Sequence, residues 1–144
     1  MFATLVIAAA LSQVAGAPVF CQSGLRLPYY DPIAQSIVLD QRACDALAAA
    51  PRMSRGSDLA RRRVGVAIFD LAHEVAHVEQ ARAGLPFDEF EADCRAAGTF
   101  GRYAYAVGVR GRAVMQRMVS FVSAHLGYAP GRTREAGCWG AWQR

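Results

Sequence analysis

The sequence predicts a helix-dominated α+β domain, and three observations predict it. Apolar residues recur at helical spacing between Ser57 and His125, with capping signals at the ends of the runs. One pair of short extended segments flanks Asp31-Pro32, a turn dipeptide. Of the 144 residues, 53% are hydrophobic and 19% charged, which is enough to bury a core and too apolar for a disordered chain. The length suits a single domain, expected over residues 18–144.

The chain opens on Phe2 to Leu11, FATLVIAAAL, followed by Ala15-Gly16-Ala17. An apolar run of this length before an A-x-A triplet of small residues is the pattern of a secretory leader, so residues 1–17 are expected to be a signal peptide. No apolar run reaches the ~18–20 residues that span a bilayer, so membrane contact is expected only if this segment is retained. Cys21, Cys44, Cys94 and Cys138 all follow the leader and form no C-x-x-C pair. In the oxidising compartment that export implies, they are candidates for two disulfides, with three connectivities open. The expected location is therefore secreted or periplasmic.

The extended pair occupies Leu25 to Asp40, and a short helical stretch from Cys44 to Ala50 is stopped by Pro51. Ser57 then caps a long helix that runs to Ala83, with Gly84 closing it and Pro86 just beyond. Val64, Ala67, Ile68, Leu71, Ala72, Val75, Ala76 and Val78 cover most of its circumference, the mark of a central, buried helix. A second helix is expected from Pro86 at its first position to about Val109, with Asp88 and Glu89 in its first turn. A third spans Arg112 to His125 with Met115, Met118, Val119 and Val122 facing inward, and the tail from Gly127 is expected to be irregular, pinned by Cys138.

Chemistry concentrates in His73-Glu74-Val75-Ala76-His77. Four residues are 1.1 helical turns, so both imidazoles leave one face and can reach the same ion, which for this pair of ligands points to Zn2+. Glu74, rotated by ~100° from His73, lies beside such an ion, where a carboxylate can take a proton from its water. With this chain's composition the pentapeptide arises by chance in about 0.2% of sequences, and it falls in the middle of the most apolar helix. A catalytic zinc site wants a third protein ligand and an open position. The following helix offers Glu89 and Asp93, four apart on one face: Glu89 suits the third ligand, Asp93 the acceptor that orients a histidine. Glu91 points away from their midpoint and is the alternative ligand, and Asp88 reads as solvated.

Those residues carry a family resemblance. HEVAH followed by EFEAD resembles the gluzincin pattern, H-E-x-x-H with E-x-x-x-D on a later helix. Glu89 to Gly98 (EFEADCRAAG) and His73 to Gln80 (HEVAHVEQ) are similar to segments of the bacterial neutral zinc metallopeptidases, and Tyr29 to Asp40 resembles the strand before their active-site helix. The resemblance spans about Tyr29 to Gly98. It implies a minimal zincin-like fold, with a short β-hairpin or edge strand, the active-site helix, the glutamate helix and a further C-terminal helix. It implies His73, His77 and Glu89 as zinc ligands, Glu74 as general base, Asp93 as the orienting acceptor, and a peptide or protein substrate bound along the edge strand. Ala76 stands where the relatives carry glycine, and the link from His77 to Glu89 is short; neither departure removes a ligand, and the resemblance does not extend to a substrate preference.

The expected activity is thus that of an exported metallopeptidase, with a zinc-activated water and Glu74 as the base. The alternative is a secreted zinc-binding or partner-binding module that keeps the site without hydrolysis. His125 and Tyr128, with Arg132 and Arg134, are candidate donors to the oxyanion of the transition state. Arg61-Arg62-Arg63 reads as a solvated basic run. The net charge of +4 comes without the broad basic patch and interleaved aromatics that nucleic acid demands, so no nucleic-acid partner is expected. Trp139 and Trp142 read as a packing cluster near Cys138.

Overall fold

The computed structural model describes residues 2–125. Five α-helices and a three-stranded sheet follow one another as α1 (Phe2–Ala15), β1 (Val19–Gln22), β2 (Tyr29–Asp31), β3 (Ser36–Asp40), α2 (Gln41–Ala48), α3 (Asp58–Arg82), α4 (Glu89–Ala106) and α5 (Arg112–His125), with a 3₁₀ helix at Ala50–Arg55. The architecture is α+β and mostly helical. Helix α3 is the axis of the domain: α4, α5 and α2 pack around it, and the sheet lies against the same assembly. Val64, Ile68, Leu71, Ala72, Val75 and Val78 of α3 are buried, as its all-round apolar pattern requires.

Local chemistry sets the ends of these elements. Ser57 Oγ accepts from the Ala60 N–H and starts α3, and Gly84 follows its last turn with φ +66°, a conformation glycine adopts without a side-chain clash. Gly65 lets α3 and α5 approach closely: a Cβ there would sit 3.2 Å from the Met118 and Val122 side chains. The extended pair is a hairpin, β2 antiparallel to β3, turned by Asp31, whose carboxylate accepts from the Ile33 and Ala34 N–H groups.

Several boundaries and one strand differ from the sequence-based expectation. Helix α4 begins at Glu89, not at Pro86, because Asp88 is its N-cap and accepts from the Glu91 N–H; it ends at Ala106, short of Val109. Asp88 is therefore a cap and not merely a solvated carboxylate. Helix α2 starts three residues early, since the Asp40 carboxylate caps it at Arg42, and Pro51 opens the 3₁₀ helix beyond it. Strand β1 was not anticipated. It pairs in parallel with β3, giving the order β1-β3-β2, so β2 is an edge strand.

Residues 2–15, within the expected leader, form α1, with Leu11 and Ala15 buried and Ala17 buried just after it. Ser12 Oγ accepts from the Val19 N–H at 2.8 Å, and the Arg82 guanidinium donates to Gly16 O at 2.6 Å. Among the described residues no helix is long and apolar enough to cross a membrane. Cys21 on β1 and Cys44 on α2 form a disulfide across 23 residues. Cys94 is also disulfide-bonded. Cys138, Tyr128, Arg132, Arg134, Trp139 and Trp142 lie outside the described residues, and His125 closes α5.

Candidate metal centre

Helices α3 and α4 place three groups around one point. His73 and His77 lie one turn apart on α3, and Glu89 is the first residue of α4. His73 Nε2 stands 3.0 Å from Glu89 Oε2 and 3.1 Å from His77 Nε2, and His77 Nε2 stands 3.3 Å from Glu89 Oε1. Ligands at 2.0–2.1 Å from a tetrahedral ion are about 3.3–3.4 Å from one another, so the spacing is close to that of a metal site. The three residues could hold a metal ion.

The far side of each ring fixes which nitrogen faces the centre. Asp93, one turn along α4 from Glu89, has its Oδ1 2.8 Å from His73 Nδ1. Gln80 Oε1 is 2.8 Å from His77 Nδ1. The orientation of the Gln80 amide is set by backbone: its Nε2 donates to Asp88 O at 3.0 Å, and the Asp88 N–H reaches its Oε1 at 3.3 Å. Both Nδ1 atoms therefore carry their proton outward, and both Nε2 lone pairs meet the Glu89 carboxylate. Three acceptors within 3.0–3.3 Å of one another repel unless a cation or a proton lies among them. His73 feels this directly. Burial lowers its pKa, but the Asp93 hydrogen bond and the charges of Glu74, Asp93 and Glu89 outweigh burial and raise it.

Gln80 was not singled out from the sequence as a site residue. It is fully buried, and its signal was a polar side chain three residues beyond His77 on the face packed against the start of α4. Gln80→Met keeps the volume and removes the acceptor from His77. Metal affinity is expected to fall about 10–100-fold, read by chelator competition; unchanged affinity would show that the amide does not orient the ring.

Glu91, the alternative third ligand, is turned elsewhere: its Oε1 is 2.6 Å from Arg95 Nη2, and Oε2 accepts from Gln80 at 3.3 Å. Glu74 is nearly buried and lines the same cleft as His73, His77, Glu89 and Asp93. Burial is the main cause that pushes its pKa up to about 7, with Glu89 and Asp70 adding to it against the two histidines. The cleft holds about 460 Å³ and is walled by Leu27, Tyr29, Tyr30 and Phe87. Phe87 packs on the His77 ring at 5.0 Å and edge-on to Tyr30 at 5.8 Å, which ties β2 to the centre. Glu89 is 76% exposed, so the third group sits on the solvent side and leaves the cleft open to an incoming molecule.

Asp70, one turn before Glu74 on α3, also lines this cleft. Burial raises its pKa from 3.8 to about 6, opposed by His73. The unfolded chain ionises this group first as pH rises, so folding stability is lost between 3.8 and about 6, and the loss is complete above that window. Asp70→Asn is expected to restore on the order of 1–3 kcal/mol at neutral pH and almost none at pH 3. Thermal unfolding at the two pH values measures it, and a variant less stable at pH 7 would contradict the assignment.

Site and fold together define a helical α+β domain with a two-histidine, one-carboxylate cluster facing an open cleft. No family model, curated protein or solved structure matches the chain.

Proposed function

We propose that the chain is an exported zinc metallopeptidase of gluzincin type, with His73, His77 and Glu89 as the zinc ligands. The observation that carries the reading is the convergence of three acceptors whose histidines are both held by outer partners, with an almost buried carboxylate, Glu74, beside them. When bound, zinc supplies a Lewis acid that polarises a carbonyl oxygen and acidifies a water. Glu74 accepts the proton of the attacking water, whose oxygen bonds to the peptide carbonyl carbon. The same carboxyl then gives that proton to the departing amine nitrogen as the C–N bond breaks. Among the described residues Glu74 has no hydrogen-bond partner to compete for that role. Asp93 and Gln80 hold the rings through Nδ1, and the exposed edge of β2 at Tyr29 and Tyr30 offers backbone groups to an extended peptide, as the resemblance implies. The Cys21–Cys44 disulfide supports an oxidising compartment.

Zinc and protons compete for the same lone pairs, and the raised pKa of His73 favours the proton. Zinc retention is therefore expected to weaken on acidification through the histidine range, which a chelator titration at several pH values would record. The function itself is tested by digestion of an unfolded protein substrate. Cleavage abolished by a chelator and restored by zinc is expected. Cleavage indifferent to the chelator, or none by zinc-loaded protein, would contradict the proposal and leave the non-catalytic zinc-binding module.

A further inference from the structure

Four carboxylates line the metal cleft: Asp70, Glu74, Glu89 and Asp93. The proposed chemistry uses three of them. Asp70 is left, a half-buried carboxylate with no hydrogen bond or ion pair among the described residues. It also lines a neighbouring groove with Arg42, Arg62 and Arg63, yet none of these arginines is paired with it, and Arg42 is bound to Asp40. Asp70 and Glu74 are four residues apart on one helix, so their side chains leave the same face about 6 Å apart along the axis. In an extended peptide that distance is covered in about two residues. A substrate group that reaches Asp70 therefore belongs to a residue beside the bond being cut.

We infer that Asp70 is the specificity-determining residue of the cleft, receiving a positively charged nitrogen of the substrate: an arginine or lysine side chain, or the chain's own terminal amine. The inference rests on the metallopeptidase reading. A cation enters from water carrying its hydration shell, and a carboxylate without a partner among the described residues replaces that shell with a charge-assisted hydrogen bond. A neutral side chain of the same length covers the half-buried carboxylate and offers it no charged partner. Selectivity follows from that difference. The apolar wall of Leu27, Tyr29 and Phe87 meets the remaining part of the substrate.

The test uses zinc-loaded full-length protein and its Asp70→Asn variant on matched quenched peptides. Arginine, lysine, norleucine or glutamate is placed at each position around the cut, with the N-terminus free or acetylated. At one position the cationic peptides are expected to exceed the norleucine peptide about tenfold or more in kcat/KM, and Asp70→Asn is expected to bring that ratio near one. If acetylation alone removes the preference, the terminal amine is the ligand; if only the side chain matters, arginine or lysine is. Either supports the inference. Cleavage with no preference for a cation, or a preference that survives Asp70→Asn, overturns it and leaves the metallopeptidase reading standing. No cleavage of any peptide by zinc-loaded protein overturns both. A purely structural role for Asp70 would move stability and leave the ratio unchanged.

Discussion

Glu74→Gln is expected to keep the metal and lose hydrolysis by about 10²–10⁴-fold, the contribution of a positioned general base. The substitution preserves the shape of a side chain that is only 4% exposed, and it removes the carboxylate that would take the proton. Glutamine cannot accept the proton of the attacking water. The ligands are untouched, so chelator competition should give a zinc affinity close to that of the parent chain. Steady-state cleavage of an unfolded protein, with contaminating protease excluded by a mock preparation, makes the comparison. Full turnover in Glu74→Gln would reject the mechanism while leaving the metal site intact.

The second large effect concerns the ligand set. Glu89→Ala removes the carboxylate that meets both Nε2 atoms at 3.0 and 3.3 Å, whereas Glu91→Ala removes an ion pair to Arg95 on the neighbouring turn. Zinc affinity is expected to fall in Glu89→Ala by more than the ~10–100-fold that loss of an outer partner costs. Glu91→Ala should change it far less, through its 3.3 Å contact with Gln80. Competition against a chelator of known affinity ranks the two. A larger loss in Glu91→Ala would move the third ligand by two residues and undo the geometry described for α4.

How much of this could be read from the sequence depended on the range of the interaction involved. The span of α3 was legible because its cap at Ser57, its closing Gly84 and its apolar positions are all local signals. The start of α4 was not, since Pro86 and Asp88 both suit a helix beginning and only the observed hydrogen bond from Glu91 N–H to Asp88 separates them. Strand β1 escaped because four residues, VFCQ, carry no periodicity of their own and pair in parallel with a strand 18 positions away. In the site, the facing of His73 and His77, and of Glu89 and Asp93, follows from helical spacing alone. The roles of Gln80 and Phe87 do not, because each depends on the packing of the segment at Asp88 against α3. Asp70 was hidden for a related reason: a carboxylate among apolar helix positions is unremarkable until the cleft it lines is known.

The most direct test of the central claim is the zinc content per chain of the oxidised protein after zinc is offered and loosely bound metal removed, with Glu89→Ala prepared in parallel. One tightly held zinc per chain, lost or loosened in the variant, is the expected result. A folded, disulfide-bonded protein that takes up no zinc would mean that His73, His77 and Glu89 share a proton and not a metal, and the peptidase reading would fall with the site.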